Sequence, residues 1–169
     1  DRHKIDFLEQ ELKSSDTNNY LHIRLASLYH KIGDLEKAKA HYNKVLTLQK
    51  NNVVALNNLA LIYIIQNNPQ ALPLAKKAYE KFPNNAAILD TYGLALLSAK
   101  KTELSLSILE QAVRVSPKSG EILYHFAQAY VKANKNDKAI EILEKIKKLK
   151  GNFSEKEGSM ALLRKLIAQ

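Results

Sequence analysis

Cysteine is absent from the 169 residues, which excludes structural disulfides, thiolate zinc sites and thiol catalysis while leaving the compartment open. Glycine and proline are scarce, at five and four. A sheet protein needs more of both for its turns, and the abundance of Leu, Ala, Lys, Ile and Glu favours helix. Long apolar runs are missing too: the longest, Leu59 to Ile65, falls far short of the roughly 18 residues that a membrane-spanning helix needs. No basic stretch followed by an apolar one opens the chain, whose first residues read directly as helix, and a longer parent array is expected. The length suits one structural unit. What is plentiful is positive charge, 26 Lys and Arg against 17 Asp and Glu for a net +9, which attracts nucleic acid, anionic lipid or acidic partners over a distance.

The strongest pattern is internal repetition. Leu25-Ala26-x-x-Tyr29 aligns with Leu59-Ala60-x-x-Tyr63, Tyr92-Gly93-x-x-Leu96 and Phe126-Ala127-x-x-Tyr130, at offsets of 34, 33 and 34 residues. Each set places a small residue between larger ones on one helix face, where a neighbouring helix can come close. A second helix follows each time, with stripes at i, i+4 and i+7: Ala38, Tyr42, Val45; then Ala71, Ala75, Ala78; then Ser105, Leu109, Ala112; then Ala139, Leu143, Ile146. Gly33-Asp34, Asn67-Asn68-Pro69, Lys101-Thr102 and Asn136-Asp137 separate the paired helices. They are expected to supply the left-handed residue, the helix-start proline or the N-cap of a tight turn. Asn51-Asn52, Pro83-Asn84-Asn85, Pro117-Lys118-Ser119 and Gly151-Asn152 fall between successive units.

This pattern resembles the tetratricopeptide repeat over nearly the whole chain, with repeats at 19–52, 53–85, 86–119 and 120–153. The family's small eighth residue stands as Ala26, Ala60, Gly93 and Ala127, and its closing proline as Pro83 and Pro117. Lys50 and Gly151 depart from that proline, Ser105 stands where alanine is usual, and one residue is missing before Gln70. Residues 1–18 read as the second helix of a truncated repeat, with Ile5, Leu8 and Leu12 as its stripe. Residues 154–169 read as a capping helix opened by the capping box Ser154-x-x-Glu157, with Met160, Leu163 and Ile167 on one face. The resemblance implies an all-α fold, a right-handed superhelix (solenoid) of tetratricopeptide hairpins closed by a C-terminal capping helix. The strings Ala55-Leu56-Asn57-Asn58-Leu59-Ala60, Leu89-Asp90-Thr91-Tyr92-Gly93 and Ala161-Leu162-Leu163-Arg164-Lys165-Leu166 are similar to the C-terminal end of bacterial envelope tetratricopeptide proteins, especially the lipoproteins associated with exosortase (PEP-CTERM) sorting. That likeness implies a periplasmic or outer-membrane-attached location, with the cytoplasm as the alternative.

In this family the first helices line a concave groove that takes peptides or partner helices. Carried onto this sequence, the groove positions give Tyr20, Arg24 and Ser27, then Asn57, Asn58, Leu61 and Ile64, then Asp90, Thr91, Leu94 and Leu97, then Tyr124, His125 and Gln128. Apolar side chains in the middle with amides and hydroxyls around them suit a peptide site. Leu61 and Leu94 would equally serve as packing between first helices, Asn57 and Asn58 as solvated surface, and Asp90 as the partner of a neighbouring repeat. The family's carboxylate clamp for chaperone tails is not expected, because its five positions hold Ile23, Ser27, Asn58, Ala87 and Thr91 and only the asparagine matches.

Enzymatic motifs are lacking: no HExxH, glycine-rich phosphate loop or GxSxG occurs. His22, His30, His41 and His125 read as lying on different helices and faces, with a metal conceivable only where His22 or His30 meets a partner across the stack. No catalysis, cofactor or metal is expected. Lys138, Lys145, Lys147, Lys148 and Lys150, with Lys76, Lys77, Lys81, Lys100 and Lys101, form the best candidate for nucleic acid or anionic membrane. Without interleaved aromatics they read better as a solvated outer face. The expected partner is a protein or peptide. Membrane association would run through a missing N-terminal region, and a monomer is expected, with end-to-end self-association as the alternative.

Overall fold

The computed structural model describes residues 1–150 and 153–168. The expected breaker Gly151-Asn152 and the last residue lie outside that set. Among the described residues there are ten α-helices and no strand: α1 (Arg2–Leu12), α2 (Asn19–Lys31), α3 (Leu35–Leu48), α4 (Val53–Ile65), α5 (Ala71–Lys81), α6 (Ala86–Ser98), α7 (Thr102–Val115), α8 (Gly120–Lys132), α9 (Asn136–Lys147) and α10 (Lys156–Ile167). None of them is long and apolar enough to cross a membrane. The chain divides into two compact units, the first running from Asp1 to Lys81 and the second beginning at Phe82.

In the first unit α2 pairs with α3 and α4 with α5, while α1 lies on α2 and α3 on α4. Its core joins Ile5 and Leu8 of α1 to Leu25, Ala26, Tyr42, Val45 and Leu59. The second unit pairs α6 with α7 and α8 with α9, packs α7 on α8, and sets α10 on α9; Leu106, Leu109, Phe126, Leu143, Ile146 and Leu163 lie in its core. Every member of the four second-helix stripes is buried, from Ala38 to Ile146. The 3.6-residue period therefore assigned the inner faces correctly.

The first helices of the hairpins end by one device, repeated four times. Gly33, Asn67, Lys100 and Asn134 all have left-handed backbones, with φ between 51° and 83°. The amide that follows each turns back onto the helix: Asp34 to the Tyr29 carbonyl at 2.9 Å, Asn68 to Tyr63 at 2.8 Å, Lys101 to Leu96 at 2.9 Å and Lys135 to Tyr130 at 2.9 Å. This is the Schellman closure, which satisfies carbonyls the helix leaves open. Two expected turn positions shift as a result. The left-handed residues are Lys100 and Asn134, while Thr102, Asn136 and Asp137 already belong to α7 and α9. At the opposite ends Asn18, Asn52, Asn85 and Ser119 accept amide hydrogens as N-caps.

Lysine gains nothing from a left-handed backbone, where its Cβ crowds the following carbonyl. Lys100→Gly should therefore stabilise the chain by about 1 kcal/mol, read as a higher urea midpoint at unchanged slope; an unchanged or lower midpoint would contradict this account of the turn.

The C-terminal helix differs from its expected form. α10 starts at Lys156, after Glu155, which makes no side-chain cap. The Ser154 hydroxyl bonds the carboxylates of Glu155 and Glu121, so the capping box is not made. The buried face is Ser159, Leu163 and Leu166, with Met160 half-buried and Ile167 exposed. The stripe slips because the helix meets α9 through the i, i+4, i+7 row that begins at Ser159.

Candidate functional site

Each hairpin's first helix carries the candidate binding positions, and their environments differ. On α2, Tyr20 is exposed and accepts a 2.7 Å hydrogen bond from the Arg24 guanidinium, which lies 5.5 Å from the ring centroid. The two side chains thus occupy each other at the surface. Ser27 is exposed, its hydroxyl 3.2 Å from that of Tyr42, whose buried phenol is pushed above its ordinary range by burial against the opposing effect of Ser27. On α4, Asn57, Asn58, Leu61 and Ile64 are all half-buried. The Asn57 side-chain oxygen is enclosed and has no hydrogen-bond partner among the described residues, which costs free energy unless something donates to it.

In the second unit, Leu94 and Leu97 of α6 are half-buried. Thr91 is buried and donates its hydroxyl to the Ala87 carbonyl at 3.0 Å, so it presents no polar atom to a ligand. Asp90 pairs with His125 of α8, whose Nδ1 lies 2.9 Å from both carboxylate oxygens. Burial pulls the imidazole down, but the hydrogen bond and charge of Asp90, with the charges of Glu155 and Glu121, outweigh it and raise His125 above its ordinary value. Tyr124 and Gln128 are half-buried beside it on α8. The Tyr124 hydroxyl reaches α10 where Gly158 leaves room: a Cβ there would stand 3.1 Å away. Tyr124 and Leu97 also pack against the core of the unit.

Two features escaped the sequence reading. His22 and His41, expected on different faces, meet with their Nδ1 atoms 2.9 Å apart; the i, i+19 spacing that joins them depends on how the α2–α3 hairpin closes. Open concavities of 380 and 580 Å³ lie along α10, lined by Phe153, Ser154, Lys156, Glu157, Met160 and Arg164. The spacing of Glu157, Met160 and Arg164 on one side of a helix was the available signal. No three His, Asp or Glu residues among those described could hold a metal ion.

The lysine-rich face is laced with its own partners. Lys145 bonds Glu141 at 2.7 Å, Lys147 lies 3.5 Å from Glu144, and Lys135 is 3.1 Å from Glu103. Exposed pairs of this kind add little stability, but they lower the field a polyanion would meet.

A comparison with curated proteins gives no match. Tetratricopeptide repeat models match residues 20–52 and 96–164. Among solved structures, MamA from Desulfovibrio magneticus RS-1 is 19% identical with a TM-score of 0.76, over 88% of this chain and 84% of that one. A tetratricopeptide repeat protein from Parabacteroides merdae is 20% identical with a TM-score of 0.79, over 99% and 71%. PilF of Pseudomonas aeruginosa is 23% identical with a TM-score of 0.74, over 89% and 68%. At these identities the likeness speaks for the fold alone. Because the two repeat models together match more than half of the chain and the helical hairpins agree with them, the chain is built of tetratricopeptide repeats.

Proposed function

We propose that this chain is a non-catalytic scaffold that holds a protein segment against the first helices of its hairpins. The observation that carries the reading is the composition of the α4 surface. Half-buried Asn57 and Asn58 stand beside half-buried Leu61 and Ile64, so side-chain amides are available to a peptide backbone and the aliphatics supply affinity. Exposed Val54 on the same helix extends the apolar surface. The resemblance to envelope sorting lipoproteins supports a narrower form, a role in envelope protein sorting or exopolysaccharide assembly.

Affinity capture from envelope and cytosolic extracts in parallel tests both forms. The chain is compared with an Asn57→Ala/Leu61→Glu variant and with Tyr124→Ala, after each is shown to melt like the parent. Partners bound by the parent should be retained at least about tenfold less by the first variant, as expected when a central contact is removed, and the extract that yields them identifies the compartment. Equal retention by parent and both variants would rule out these faces as the binding surface.

A further inference from the structure

The histidine contact in the first unit has a definite proton arrangement. The Nε2 of His22 lies 3.0 Å from the Asp16 backbone carbonyl, which can only accept, so His22 carries its hydrogen on Nε2. In the neutral ring its Nδ1 is then a lone pair, and the contact at 2.9 Å requires His41 to donate from its own Nδ1. His41 stacks on Tyr29, with rings 8° from parallel and centroids 5.7 Å apart, and the Tyr29 hydroxyl donates to Glu9 of α1. One chain of contacts therefore joins α1, the loop after it, α2 and α3, around a His22 side chain that is 3% exposed.

This arrangement accepts one extra proton and no more. A proton added to Nε2 of His41 keeps the Nδ1–H donor pointing at the His22 lone pair. A second, on Nδ1 of His22, sets two N–H groups facing each other with no acceptor between them. We propose that the His22–His41 contact is an acid-release latch, which holds α1, α2 and α3 together at neutral pH and loosens them under mild acid.

The surrounding charges are mixed. The Asp16 carboxylate lies 3.8 Å from His22 Nε2, and Glu9 from α1 favours protonation of His41. Lys37 of α3 opposes it, and Lys44 of α3 already engages Asp16. Helix α4, which packs on α3, carries no charged residue. Burial, then the charge of His22, hold His41 below its ordinary value of 6.5 against the pull of Glu9. The folded unit thus binds fewer protons than the unfolded chain as pH falls through that value, and its stability drops in the same direction.

Amide exchange of the full chain at pH 7.5 and 5.0, corrected for intrinsic rates, tests the latch. Protection in α1–α3 should fall about tenfold or more, while α8 and α9 lose none. His41→Gln keeps an N–H donor for His22 but cannot take a proton, so the selective loss should vanish; His22→Gln preserves both of its contacts and serves where the first variant is unprotected already at pH 7.5. An imidazole NMR titration of the parent decides independently of either variant. Equal losses in parent and variants, or both rings protonating at ordinary values with protection unchanged, would overturn the proposal.

Discussion

Leu109→Ala should destabilise the second unit by about 3 kcal/mol, and Gly93→Ala, a change of one methyl group, by about 1–2 kcal/mol, yet the double variant should lose less than the two together. Leu109 is fully buried at the heart of α7, and truncating it leaves a cavity among Leu106, Leu123 and Leu143 that the helices close only in part. Gly93 is small because Leu109 lies on top of it. A Cβ at 93 would stand 2.5 Å from Leu109 Cγ and 2.7 Å from Cδ2, so the leucine would have to move in a packed interior. With alanine at 109 the new methyl enters the vacated space. Urea unfolding of all four members of the cycle, followed by amide exchange in α7, measures the coupling, which should favour the double variant by about 1 kcal/mol or more. Strict additivity would mean that Gly93 is small for some other reason. The same close approach accounts for Ser105, whose buried hydroxyl donates to the Gly93 carbonyl at 2.7 Å, a bond that alanine could not make.

The second large effect concerns Asp90. Asp90→Ala should cost about 2–3 kcal/mol at pH 6, the low end for a buried pair because both side chains keep some contact with water. The half-buried imidazole of His125 would lose its acceptor. The pH dependence follows from the raised value of His125. The folded state holds the proton more tightly than the unfolded chain, so this stabilisation is complete below about 6.5 and is lost as pH rises through the folded value. Denaturant midpoints for α8 and α9 should therefore decline between pH 6 and pH 8 in the parent and change less in Asp90→Asn; a parent slope surviving in Asp90→Asn would sink the assignment. Acid thus acts with opposite sign on the two units, weakening the first through His41 and strengthening the second through His125.

Much of the local architecture was legible because it depends on neighbours in the chain. The 33- and 34-residue offsets located the hairpins, and every residue of the i, i+4, i+7 stripes is buried, with Leu106 and Ile142 joining them, since one helical period places such residues on one face whatever the surroundings. Asn18, Asn52, Asn85 and Ser119 cap because their side-chain oxygens reach amides only two or three residues ahead. The misplaced details arose where two local solutions compete. Lys100 adopts the left-handed turn although lysine does not favour it, because the Schellman bond to Leu96 and the packing of α6 on α7 override propensity. Ser154 donates its hydroxyl hydrogen to carboxylates and accepts none from a helix amide as a cap.

The candidate positions themselves could be named from sequence, but what each does there could not. Asp90, Thr91 and Asn57 all occupy first-helix positions, yet one is spent on His125, one on its own backbone, and one keeps an unanswered oxygen. The sequence by itself determined the helices of the hairpins, their pairing and the buried faces of the second helices, through periodicity and short-range capping, but not the face that α10 buries. Only the tertiary structure decided which polar groups are satisfied, that His22 meets His41 across 19 residues and Asp90 meets His125 across 35, because such contacts depend on ångström-scale packing between helices that no one-dimensional period encodes.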